Sequence, residues 1–337
     1  MLVRQVFGAV IILHKGERGM IKYVIKRLLL FIPILLGISF IALIFIDIAP
    51  GDPVAIITGW DAKPEEIAKV AAELKLDRPI LVRYFEFVMN AVKGDLGVTF
   101  YTKRPVMPDI LARFPYTALL ASMSVILSIL IGVPLGIYAA THQYSWKDNV
   151  AILISLVLVS MPSFWLALLL VRLLAVKLNL VAVSGIQHWS SWVLPTFSIA
   201  AGYAASISRQ ARSNMLQVIR EDYITTARAK GQSEGVILYR HALKNACIPL
   251  VMTIGSLFGM ALGGSLVTEI IFSIPGLGQY MIKSLTNRDY PAIQGTVLFM
   301  SVIFCIVILV IDIAFAFIDP RIRSQYLRKK MKAGEVI

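Results

Sequence analysis

The chain is short of charge, of cysteine and of histidine. Asp, Glu, Lys and Arg make up 16% of its 337 residues, against about 25% in soluble domains. With 58% hydrophobic residues, it carries too much apolar surface to remain disordered in water. The two cysteines, Cys247 and Cys305, cannot form a disulfide scaffold; both sit in apolar stretches and read as buried thiols. The four histidines, His14, His142, His188 and His241, are scattered and have no metal-ligand spacing. His-Glu-x-x-His and Gly-x-Ser-Gly are both missing, which argues against an intramembrane protease; no catalytic residue and no metal ligand is expected. A Gly-x-x-x-x-Gly-Lys-[Ser/Thr] phosphate loop is missing too, so ATP chemistry is not expected on this chain.

Apolar runs are what the chain has in excess. A membrane helix needs about 20 mostly apolar residues. Six stretches meet that length: 28–48, 116–141, 149–176, 191–208, 249–272 and 292–318. The fourth is diluted by Pro195, Thr196, Ser198 and Ser206. Its run Ala200-Ala201-Gly202 with Ala204-Ala205 suits contact with another helix better than contact with lipid. Residues 1–27, 142–148, 207–248 and 319–337 together hold the whole net charge of +13, and the other segments balance. This places both termini and the 207–248 segment in the cytoplasm. The basic excess reads as orientation and contact with anionic lipid, with no nucleic-acid partner. Val6–Leu13 is too short to span, and no small-residue cleavage site follows it. Met20 begins a more conventional start, so residues 1–19 read as an upstream extension and the start is either Met1 or Met20.

The outer segment 49–113 opens on the turn Ala49-Pro50-Gly51-Asp52-Pro53. Residues 64–76 read as an amphipathic helix with Pro64 in its first turn and Glu65 and Lys69 at i,i+4. A second helix, 79–92, ends at Gly94-Asp95-Leu96-Gly97. Together these make a small helical cap. In the inner segment, Met215–Lys230 reads as a helix, Gly231 as its left-handed stop and Ser233 as the N-cap of a helix running towards Asn245. In the fifth span, Gly255, Gly259 and Gly263 recur at i,i+4 with Gly264 beside them. They read either as packing within this chain or as a face toward a pathway or partner.

These residues resemble a known family. Asp222-Tyr223-Ile224-Thr225-Thr226-Ala227-Arg228-Ala229-Lys230-Gly231, then His241 to Pro249, is similar to the EAA loop of binding-protein-dependent ABC permeases of the oligopeptide/dipeptide/nickel type, first of the two permease kinds. Agreement in order and spacing continues at Gly94–Gly97, Arg113–Thr117, Ser160–Trp165, Glu269–Gly278 and Asp319–Arg321. Departures are Ile308, where the family often has Asn, and Phe315, where it often has Tyr. Thr225 stands where the general loop has Glu, which the peptide branch commonly lacks.

The resemblance implies an all-α membrane protein with six transmembrane helices, the type-1 ABC importer fold: a first span at 28–48, a transmembrane domain over 114–318 and a coupling loop at 209–248. It implies a heterodimer with a homologous second permease, and two cytoplasmic ATPases that bind ATP and Mg and seat on Asp222, Tyr223, Ala227–Gly231 and Ser233. It also implies an external binding lipoprotein or periplasmic protein that delivers a di- or oligopeptide across a bacterial or archaeal inner membrane; nickel or a metal chelate is the alternative cargo. Asp52, Asp95, Glu269, Pro275, Gly276 and Gly278 are the candidates for external docking or gating. The rival reading is an ion-coupled transporter using Asp47, Arg172, Glu269 and Asp312.

Overall fold

The computed structural model describes residues 2–48, 53–59, 62–181 and 183–318. The Ala49–Asp52 turn, Asp52 among the candidate residues, and the 319–337 tail lie outside them. Among the described residues the chain is helical, with one isolated bridge between Val98 and Pro105. The helices are α1 (Leu2–Ile48), α2 (Pro53–Thr58), α3 (Pro64–Glu73), α4 (Ile80–Val92), α5 (Val106–Thr141), α6 (Trp146–Ser160) and α7 (Ser163–Leu170). They continue with α8 (Val193–Ile219), α9 (Asp222–Ala229), α10 (Glu234–Val236), α11 (Leu243–Gly264), α12 (Leu266–Ile271), α13 (Leu277–Thr286) and α14 (Tyr290–Ile318).

Among the described residues four helices are long and apolar enough to cross a bilayer: Val24–Ile48, Val106–Thr141, Glu234–Gly263 and Tyr290–Phe315. The expected third span is two helices, α6 and the α7 segment through Lys177, bent by 100°. Pro162 causes the break, since it has no N–H to donate and forces Met161 out of the helical region, to φ −82° and ψ 123°. The expected fourth span is α8. Its 27 residues reach about 40 Å, enough to cross. Its polar side chains keep it out of the apolar set, because it runs through the middle of the bundle against α5, α6, α7 and α11. The expected fifth span ends at Gly264, eight residues early; Ser265 interrupts it and α12 is a separate short helix.

α5 and α8 pack along an extensive, close seam. A Cβ on Gly132 would lie 2.6 Å from the Ala204 carbonyl, and one on Gly136 would lie 2.6 Å from Ala211 Cβ. Small residues on both helices therefore bring the backbones together, as the alanine run of α8 implied.

At one end of the bundle lie the two cap helices, the first ending at Glu73, three residues before the expected stop. α3 starts on Pro64, and α4 covers 80–92. Arg83 of α4 pairs with Asp47 of α1 at 2.8 Å. Tyr84 donates to the Leu36 carbonyl at 2.7 Å. The cap is thus fastened to the first span.

Candidate functional site

The other end of the bundle carries α9. The expected single helix Met215–Lys230 is two helices: α8 stops at Ile219, and Glu221 takes an extended conformation (φ −73°, ψ 148°) before α9 begins. Asp222 lies in the first turn of α9 and Arg228 in the last, each favourable to the helix dipole. Gly231 has φ +74°, the left-handed stop that its position suggested. Its N–H reaches the Arg228 carbonyl at 2.9 Å, and the Gln232 N–H reaches the Ala227 carbonyl at 3.4 Å. Ser233 sits at the N-cap of α10, but its hydroxyl makes no capping bond. The helix that follows does not stop near Asn245; it passes through a π segment, Ile237–Ala242, into α11. The elbow is therefore joined directly to a long apolar helix.

α9 has two faces. Ile224 and Ala227 point inward, packed with Met215, Ile237, Ala242 and Ala246. Ala227, expected among the residues that seat an ATPase, belongs to the inner face. Asp222, Thr225, Thr226, Ala229, Lys230 and Gln232 are exposed. Arg228 meets Glu234 across the turn at 2.7 and 3.3 Å. An exposed pair of this kind contributes little stability, but it links the two arms of the elbow. Tyr223 accepts a bond from Asn245 Nδ2 at 2.8 Å, which ties α9 to α11.

A second tie at this end was missed on sequence. Arg212 of α8 makes a two-pronged contact with Asp148 of α6, at 2.6 and 2.7 Å. The Asp148 N–H bonds the Ser145 hydroxyl at 3.3 Å. Ser145-x-x-Asp148 before an apolar run is a capping signature that could have drawn attention to it.

Toward the cap end, Glu269 is wholly buried. Its Oε1 accepts from Thr117 at 2.7 Å and from Ser265 at 3.0 Å. Its Oε2 accepts from the N–H groups of Gly278 at 2.7 Å and Gln279 at 3.2 Å, in the first turn of α13. Thr117 also accepts from the Leu277 N–H at 2.8 Å. Gly276 and Gly278 leave the room this requires: a Cβ on Gly278 would sit 2.5 Å from Leu266 Cα. Glu269 is therefore an internal clasp joining α5, α12 and α13, and its carboxylate presents no surface to an external partner. Pro275 and Gly278 are half-buried and Gly276 is buried, while Asp95 is exposed and accepts from the Gly97 N–H at 2.8 Å.

Of the other ionisable candidates, Asp47 pairs with Arg83, Asp312 pairs with Arg27 at 2.9 Å, and Arg172 is exposed. In α11, Gly255 and Gly259 face α14 of the same chain, where added Cβ atoms would strike Ile311 and Phe304. The space beside Gly263 is open, and Gly264 is the last residue of α11. No group of three or more His, Cys, Asp or Glu side chains suited to a metal exists among the described residues.

Residues 132–324 match the family described as "Binding-protein-dependent transport system inner membrane component", and residues 20–121 match its N-terminal counterpart. The glutathione transport system permease protein GsiC of Escherichia coli O6:H1 is 39% identical over 304 residues, 90% of this chain and 99% of the relative. The protein of the same name from Salmonella choleraesuis shares the same identity and coverage. A chain of the inward-facing MetNI methionine ABC transporter superposes with a TM-score of 0.55 at 17% identity, over 64% of this chain and 98% of that one. That likeness concerns the fold.

Proposed function

Because the chain belongs to the binding-protein-dependent inner-membrane transport components, the permease subunits of ABC importers, we propose that it forms half of the pathway for a di- or oligopeptide-like solute. The full importer adds a homologous second permease, two ATPases that bind ATP and Mg, and an external binding protein. Both termini and α9 face the cytoplasm on this reading, following the basic excess of residues 1–27, 142–148, 207–248 and 319–337 in the sequence. The single observation that carries it is the elbow Glu221–Ser233. It has a buried inner face, an exposed outer face and a direct connection into α11, so a push on α9 reaches a spanning helix as a rigid displacement. Asp222, Thr225, Ala229 and Lys230 form the surface on which an ATPase would seat.

Peptide is the favoured cargo because the 39%-identical relatives are named for glutathione, a tripeptide. The ligand retained by the partner binding protein tests the cargo. Mass spectrometry of that protein should release peptides; bound nickel or a metal chelate would replace peptide by the alternative. Asp95 and the Pro275–Gly278 loop remain the proposed outer contacts, with Glu269 holding that loop in place.

A further inference from the structure

An apolar cleft of about 430 Å³ opens between α5, α6 and α8. Ala201, Ala204 and Ala205 form its floor, and Leu135 and Ile154 stand on its walls. The cleft lies along membrane-embedded helices, and an apolar void does not hold water stably. Its occupant must therefore be apolar along most of its length.

The mouth has a different chemistry. Tyr138, Trp146 and Lys147 surround it at the end of the bundle that carries α9. Trp146 is 71% exposed, and aromatic rings of this kind favour the headgroup layer. Lys147 Nζ lies 5.7 Å from the Tyr138 ring. The adjacent acid does not neutralise this lysine: Asp148 is buried and both its oxygens are taken by Arg212. Charge at the mouth is therefore positive, above a slot lined mostly by hydrocarbon, with Ser155 and Ser208 its polar residues. An anionic headgroup with a long apolar chain complements both parts, and basic pockets between spanning helices on the cytoplasmic side bind such lipids.

We infer that this cleft holds an acyl chain of an anionic phospholipid, with its headgroup against Lys147. The lipid fills the gap between α6 and α8 beside the Asp148–Arg212 tie, at the base of the bundle on which α9 rests. This inference does not depend on the cargo.

The test uses the full chain in its assembled complex, in vesicles of phosphatidylcholine with one-fifth phosphatidylglycerol. Either lipid carries a photoreactive acyl chain, and labelled peptides are mapped. Phosphatidylglycerol should label α6 and α8 peptides about fivefold more than phosphatidylcholine, the preference expected of one surface lysine, and Lys147→Gln should abolish it. Ile154→Trp changes an exposed wall residue and should remove labelling in the cleft while leaving complex yield unchanged. Equal labelling by the two lipids, or labelling unaffected by both variants, would overturn the inference. So would efficient cross-linking from a cysteine at Ile154 to the second permease, because protein would then cover the cleft.

Discussion

Gly231 holds a φ of +74°, and nothing lies within 4 Å of the place its Cβ would take. A substitution there acts through the backbone alone. For an ordinary side chain the left-handed region costs about 1–2 kcal/mol, and more for a β-branched one. Gly231→Val should therefore open the elbow and remove the ATPase contact or the ATP hydrolysis stimulated by loaded binding protein. Gly231→Asn, which tolerates this conformation, should keep both. Stimulation measured in correctly inserted complexes separates the two, and a Val variant with normal stimulation would place the coupling elsewhere. Glu269 makes the opposite case, a residue that acts through its partners. Glu269→Ala leaves two backbone N–H groups without their acceptor, at about 1–3 kcal/mol each. It should lower the unfolding midpoint and expose the 265–289 segment to protease, with Glu269→Gln milder. An unchanged midpoint and protease pattern in Glu269→Ala would mean that the clasp is not structural.

Among the elements, the α5–α8 seam is sensitive to side-chain volume, since added Cβ atoms there would meet backbone. Gly136→Leu must separate two backbones and should cost about 1–3 kcal/mol or more. Gly37→Leu on α1 meets nothing within 4 Å and should be near neutral. Thermal unfolding in detergent compares the two, and equal midpoints would contradict the packing described. Gly259→Leu, which would strike Phe304, should likewise impair assembly or transport. Much of this architecture was legible in the sequence. Apolar length gave α1, α5, α11 and α14, and the alanine run of α8 marked it as an interior helix. Gly231 announced the elbow. Other features were present but overridden by a stronger pattern: the apolar run 149–176 concealed the break at Pro162, and the long period from Met215 concealed the stop at Ile219. The Glu269 clasp could not be read at all, since Thr117 lies 152 positions away and no local pattern links them.

At the scale of the whole molecule, the chain has two ends with different chemistry. One carries a folded cap in which Lys75 and Arg78 both pair with Glu86, holding that carboxyl below its usual range. The other carries the elbow. If the cap receives the binding protein, cross-linkers at the exposed Lys69 and Lys93 should join the two proteins; links confined to the permease would make the cap a structural cover. The chain has no phosphate loop, and Asp47, Glu269 and Asp312 are all engaged by partners within it. The most direct measurement is uptake of a labelled peptide, delivered by its binding protein, into vesicles containing the purified complex. Uptake should require ATP on the α9 side and should be indifferent to an imposed ion gradient. Accumulation driven by the gradient in ATP-depleted vesicles would contradict the account.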